Sequence, residues 1–256
     1  MVKAMMAIAG FCRKHHKPVF LINSIWRDNC EFDKDSRLFT GVYLRDKDSW
    51  AHVQRFTTRA WYVPDLSLDS TTGSRDSSLH RQGVLFTDSV VKSVASRLYR
   101  IATDQKADFC FMGVTPLRKR WKRSPVVSLR REFCGMSTEN LTLDHFQRYS
   151  LMVTGRFHAV MFAIQTKTPF VCIRSNTPKI ESFLDEAGIA DAPCLGHDEV
   201  TSGSIERAIS DAKRYWTPDR WQRVDAFLEF ARNAIDSMFK EIRKVSWNYP
   251  KQDDSE

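Results

Sequence analysis

Leu151-Met152-Val153-Thr154-Gly155-Arg156-Phe157-His158-Ala159-Val160-Met161-Phe162-Ala163-Ile164-Gln165-Thr166-Lys167-Thr168-Pro169-Phe170-Val171-Cys172-Ile173 is the stretch whose reading decides the fold. Leu151 to Val153 is a short apolar run, and Phe157 to Gln165 carries apolar residues at helical spacing. Pro169 to Ile173 is a proline-led run of aromatic and β-branched residues, so the stretch predicts strand, helix, strand. Neither strand alternates apolar with polar residues, so both read as buried on two faces, as in a parallel sheet covered by helices. Ligands of such sheets bind beyond the carboxyl ends of the strands, near helix N-termini. Thr154-Gly155-Arg156-Phe157-His158 falls at that place.

The same alternation extends outward. Residues 3–14 read as a helix that Pro18 ends, followed by the apolar strand Val19-Phe20-Leu21-Ile22. Gly41 to Arg45 reads as a strand, Asp46 to Phe56 as a helix with acidic residues in its first turn, and Trp61-Tyr62-Val63 as a third strand. Asp69 to Ser78 is small, polar and aperiodic, a linker. Beyond it come the strand Gly83 to Phe86, a helix from Ser89 to Thr103 with Asp88-Ser89 as its cap, and the strand Asp108 to Gly113. Leu141 to Phe146 predicts a short helix. Past the central unit, Thr177-Pro178 opens a helix through Leu184, and 204–245 is helical with a break at Thr217-Pro218. Trp216, Trp221 and Phe227 read as helix packing.

These elements predict an α/β protein of two halves with mostly parallel sheets. The expected boundaries are 1–78 for a first Rossmann-like half, 79–203 for a second that carries the Arg-x-His segment, and 204–256 for helices packing back on the halves.

Composition narrows the function classes. At 256 residues with 42% apolar and 27% charged residues, the chain is of ordinary globular type and not disordered. No apolar run approaches the ~18–20 residues a membrane span needs. Met1 to Cys12 is apolar enough to mimic a signal peptide, but Arg13-Lys14-His15-His16-Lys17 stands where a cleavage site belongs, which favours an amphipathic helix and a soluble, cytoplasmic chain. None of the six cysteines pairs at C-x-x-C spacing, which excludes the common zinc and thioredoxin-like signatures. The net charge of +8 comes largely from Arg118 to Arg123 and Arg130-Arg131. This is either a solvated loop or a contact for an anionic substrate, membrane or glycan; no dedicated nucleic-acid motif accompanies it.

Arg156 and His158 open a helix whose free N–H groups and dipole favour an anion. Arginine adds a planar fork for a carboxylate or phosphate, histidine a proton carrier near neutral pH, and Gly155 a tight turn. The alternative is that both residues cap their own helix or pair with a nearby acid. Asn176 and Lys179 stand at the equivalent place one βα unit later, and Asn23-Ser24 and Arg45-Asp46 end the strands of the first half.

On these residues a family resemblance becomes specific. Arg156-x-His158 followed by Phe162-Ala163, the Pro169-led strand, and Lys179 with Phe183-Leu184 resemble the C-terminal signature of the polysaccharide pyruvyl transferases. Lys17 to Ile25 resembles that family's strand ending in a Ser-Ile turn, Val42 to Ser49 its Arg-Asp-x-x-Ser strand end, and Val63 to Leu68 its Pro-Asp strand exit.

The resemblance implies a GT-B-like pair of Rossmann-type halves that transfers a pyruvyl group from phosphoenolpyruvate to a sugar of a cell-surface glycan or its precursor. His158 would then be the general acid. Arg156 and Lys179 would hold the carboxylate and phosphate of phosphoenolpyruvate, Arg45 from the facing half would complete the clamp, and Ser24, Phe157 and Asn176 would line the substrate site. The scheme needs no metal and no cofactor beyond the donor. The family begins with a further strand and a glycine- and serine-rich loop, so the first half is expected to be truncated. A glycosyltransferase using a nucleotide sugar, or a non-catalytic protein binding an anionic glycan through the crevice and the 118–131 cluster, remain the alternatives. Neither the acceptor sugar nor the oligomeric state is legible in the sequence.

Overall fold

The computed structural model describes residues 2–69, 80–112 and 143–247; the basic cluster 118–131 and most of the 69–78 linker lie outside them. The chain divides into two compact units, one of residues 1–69 with 228–256 and one of residues 70–227.

In the first unit α1 (Val2–Lys14), β1 (Phe20–Ser24), β2 (Gly41–Leu44), α2 (Lys47–Val53) and β3 (Ala60–Tyr62) follow one another, with 3-10 turns at Cys30–Phe32, Lys34–Leu38 and Leu66–Asp69. The strands are parallel in the order β1-β2-β3. All four residues of β2 are buried because the sheet is covered on both sides. Val42 and Leu44 point one way, into a core with Met6 and Ala9 of α1, Leu21 of β1 and Val53 of α2. Tyr43 points the other way, onto Ile235 and Met238. The period of two thus sends alternate side chains into two cores, which explains the unbroken apolar run. α2 is shorter than the 46–56 helix expected: Asp46 stands outside as the N-cap, its Oδ1 accepting from the Ser49 N–H at 2.9 Å.

The second unit contains β4 (Val84–Ser89), α3 (Lys92–Asp104), β5 (Asp108–Cys110), α4 (Leu143–Phe146), β6 (Leu151–Gly155), α5 (Phe157–Thr166), β7 (Phe170–Ile173), α6 (Lys179–Glu186), β8 (Cys194–Leu195) and α7 (Ser202–Tyr215). Its five strands are all parallel, in the order β5-β4-β6-β7-β8. Every residue of β6 and β7 is buried, as the opening stretch requires. The final helix α8 (Pro218–Trp247) runs from the second unit into the first. Trp216 stacks on Trp221 at 4.4 Å and tilts against Phe170, and Phe183 meets Phe227 edge-on, so these aromatics are helix packing.

Two local expectations need correction. Asp88 and Ser89 do not cap a helix: β4 continues through both, and α3 starts later, behind Val91 with no side-chain cap. The two-residue edge strand β8 was not expected, since Cys194-Leu195 is too short to show any periodicity.

Candidate functional site

The order β5-β4-β6-β7-β8 contains a reversal. From β4 the chain moves outward to β5, then returns to place β6 on the other flank of β4. Adjacent loops at such a point leave in opposite directions and open a crevice at the strands' carboxyl ends, where doubly wound sheets bind ligands. Here the ends that meet are Thr87-Asp88-Ser89 of β4 and Thr154-Gly155-Arg156 at the end of β6.

Close approach of these ends demands glycine. Ser89 and Gly155 are paired residues of β4 and β6, and a Cβ on Gly155 would lie 2.5 Å from Ser89 Cβ and 2.6 Å from its Oγ. One step earlier the hydroxyls of Thr87 and Thr154, both fully buried, bond to each other at 2.5 Å, and Thr154 Oγ1 accepts the Arg156 N–H at 3.0 Å. The turn into α5 is therefore fixed by side chains of the strands themselves.

Arg156 is the N-cap residue of α5 in extended conformation and makes no side-chain cap. Its Nη2 donates to Oδ2 of Asp88, whose other oxygen accepts the Met112 N–H at 2.9 Å. Asp88 is wholly buried, whereas Arg156 keeps 24% of its side chain exposed. Of the two structural alternatives, pairing with an acid is realised and capping is not. The ion pair holds the guanidinium at the crevice, and its buried Nε has no hydrogen-bond partner among the described residues. An oriented, partly exposed guanidinium fork suits a planar anion.

His158, in the first turn of α5, is exposed. Its ring meets Phe157 at 5.5 Å in an edge-on contact, and Phe157 in turn packs edge-on against Phe183 of α6, so the aromatic behind the histidine is anchored. No hydrogen bond or ion pair engages the His158 ring among the described residues. Beyond the neighbouring strand β7, Asn176 is exposed with Oδ1 accepting from Ser175 Oγ at 3.1 Å, and Lys179 is the half-buried first residue of α6. The loop is tied down by His197, whose Nε2 is 2.5 Å from the Arg174 carbonyl, and by Arg174, which lies 3.8 Å from Glu181. Arg156, His158, Asn176 and Lys179 thus stand at the ends of the adjacent strands β6 and β7, by two helix N-termini.

The first unit repeats the pattern. Arg45 follows β2, and its backbone N–H donates to the Ser24 carbonyl at the end of β1 at 3.0 Å, so the fold brings these two expected residues together. Ser24 Oγ is turned back on the Ile22 carbonyl at 3.1 Å. Arg45 donates through Nη1 to Asp65, which is buried and also accepts the Ser67 N–H at 3.0 Å. Each arginine at a strand end is therefore seated on a buried carboxylate from a neighbouring strand end. Sequence reading named both arginines but neither partner. A strand ending in Asp before a helix reads as a cap, and Pro64-Asp65 reads as a turn, so only spatial pairing reveals them.

A model of the family described as polysaccharide pyruvyl transferase matches residues 33–177. That span includes Arg45, Asp65, Asp88, Arg156, His158 and Asn176, with Ser24 and Lys179 outside it. The crystal structure of the glycotransferase of kitacinnamycin superimposes with a TM-score of 0.57 at 12% identity, covering 96% of this chain and 74% of that one. That likeness concerns the fold, and with the two parallel-sheet units it places the chain in the GT-B-like class. A structure of accessory secretory proteins 1, 2 and 3 of Streptococcus pneumoniae gives a TM-score of 0.44 at 11% identity over 89% of this chain and 48% of that chain. No curated protein matches the sequence significantly.

Proposed function

The chain belongs to the polysaccharide pyruvyl transferase family, and from that premise we propose that it transfers a pyruvyl group from phosphoenolpyruvate to a sugar of a cell-surface glycan or its precursor. The observation that carries the reading is Arg156, held by buried Asp88 at the switch point of the second sheet and followed two residues later by the exposed His158. Arg156 takes the carboxylate of phosphoenolpyruvate, and Lys179 at the start of α6 takes the phosphate. Asn176 hydrogen-bonds the same ligand, and Phe157 backs the histidine. Arg45 and Ser24, at the strand ends of the first unit, are assigned to substrate as well. Among the described residues no helix is long and apolar enough to cross a membrane.

In the chemistry proposed, protonated His158 donates its proton to the methylene carbon of phosphoenolpyruvate, and positive charge develops at the carbon bearing the phosphate. One acceptor hydroxyl adds there and returns its proton to the now neutral His158. The carbon–oxygen bond to phosphate then breaks, and a second hydroxyl of the same sugar closes the ketal, its proton leaving with the phosphate. Atoms balance as phosphoenolpyruvate plus diol giving pyruvyl ketal plus inorganic phosphate. Positioned cationic donors stabilise the charge that moves onto the departing phosphate, each by roughly 3–4 kcal/mol where the geometry is good.

Incubating the protein with phosphoenolpyruvate and a panel of sugar acceptors should release inorganic phosphate and add a ketal detectable by mass spectrometry. His158→Ala should abolish turnover while retaining donor binding. Tighter calorimetric binding of nucleotide sugars than of phosphoenolpyruvate would overturn the proposal in favour of glycosyl transfer.

A further inference from the structure

The sequence shows no recognisable ligand spacing among Cys30, Asp33 and His52, yet the fold gathers them. Cys30 opens the first 3-10 turn, Asp33 joins it to the next, and His52 lies in the last turn of α2. Their ligating atoms all lie within 4.8 Å of one another. The His52 Nε2 is 2.9 Å from both carboxylate oxygens of Asp33. Ligand atoms bound to one zinc ion at about 2.0–2.3 Å sit about 3–4 Å apart, so small side-chain movements close this group on a metal.

The surroundings resemble an outer shell. Trp26 Nε1 donates to Asp33 Oδ1 at 2.9 Å and fixes the carboxylate, which is itself only 8% exposed. The imidazole is seated against the Phe56 ring at 5.4 Å. Ligating carboxylates are characteristically held by such second hydrogen bonds. Cys30 is exposed and His52 partly so, which leaves solvent access for entry and for water to complete the coordination.

We propose that Cys30, Asp33 and His52 form a site for a borderline-soft divalent cation, Zn2+ being the best fit to one thiolate, one imidazole and one carboxylate. The ion joins the turns after β1 to α2. That tie adds to the Trp26 N–H bond to Ser49 Oγ at 2.8 Å and steadies the segment that follows Ser24.

The test uses the full chain, stripped with a chelator and titrated with Zn2+ and separately with Co2+. Expected are one equivalent of metal, a rise in melting temperature on loading, and a near-ultraviolet thiolate-to-cobalt charge-transfer band. Cys30→Ser, exposed and therefore tolerated by the fold, should abolish that band. It should also weaken Zn2+ binding beyond the ~10–100-fold that loss of a second-shell partner costs. His52→Gln should weaken binding without removing the thiolate band at saturating Co2+. A missing thiolate band in the unmodified protein, or Zn2+ affinity unchanged in Cys30→Ser, overturns the site and leaves a simple histidine–aspartate hydrogen bond.

Discussion

Arg156 reaches across from the end of β6 to donate to the carboxylate of Asp88 at the end of β4, the two strands between which the sheet order reverses. The pair is asymmetric: the side chain of the acid is 1% exposed and that of the arginine 24%. Removing the arginine leaves a buried carboxylate whose one remaining side-chain hydrogen bond among the described residues is from the Met112 N–H. Arg156→Ala should therefore cost about 2–4 kcal/mol in denaturant unfolding, a little under the ~3–5 kcal/mol of a fully buried pair because the arginine is partly exposed. Loss of phosphoenolpyruvate binding by calorimetry should accompany it. Arg156→Lys retains the charge but not the fork, so it should recover most of the stability and little of the binding.

Gly155 makes a second prediction sharp because its obstruction is identified. A methyl group there meets Ser89 Cβ at 2.5 Å and Cα at 3.1 Å, and neither belongs to a flexible side-chain end. Gly155→Ala should destabilise by about 1–3 kcal/mol through forced separation of β4 and β6. Ser89→Gly removes the nearest obstruction, so the double variant should recover a large part of the loss. Additive losses in that cycle would show the strain to lie elsewhere.

The parallel sheets, the central βαβ unit and the break before α8 were legible in the sequence because buried strands and amphipathic helices leave period and punctuation behind. Arg156, His158 and Lys179 were legible as strand-end residues, since a glycine turn and a Thr-Pro helix start mark their places. Asp88 and Asp65 were not, because a carboxylate's partner lies in three dimensions: 68 residues separate Asp88 from Arg156 and 20 separate Asp65 from Arg45. The same holds for Cys30, Asp33 and His52, gathered by non-repeating turns. The strand order that puts the reversal between β4 and β6 was equally invisible, since β5 could pair on either flank with the same sequence.

Thiol reactivity should sort by position. Burial, with the Asp88 carboxylate adding to it, pushes Cys110 up to about 12, so it carries almost no thiolate at pH 8. Hydrogen bonding from Cys172, its partner across β7 and β8, pulls Cys194 below the ordinary thiol value, and Cys194 is only partly covered. Timed alkylation with peptide mapping should label Cys194 well before Cys110 and Cys172 in the native protein, with the difference lost in denaturant. Cys110 labelled as fast as Cys194 would contradict the burial argument.

His145 supplies the pH dependence. Burial, and then the nearby Arg148, hold its imidazole below the ordinary value, although Asp108 opposes them. The ring is packed edge-on to Phe146 and Tyr149, so the neutral form is the one the fold accommodates. The unfolded chain therefore binds a proton at this residue more readily than the folded one, and the sign follows from linkage: stability rises with pH across the interval between the two pKa values. Above the unfolded value the neutral ring costs nothing. As the pH falls through the ordinary histidine value of ~6.5 toward the lower folded one, protonation favours the unfolded chain. The midpoint of urea unfolding should drop over that interval, and a His145→Asn variant, which cannot titrate, should show a shallower drop even if its stability at neutral pH is lower. Parallel pH profiles for the two proteins would assign the acid sensitivity to other groups.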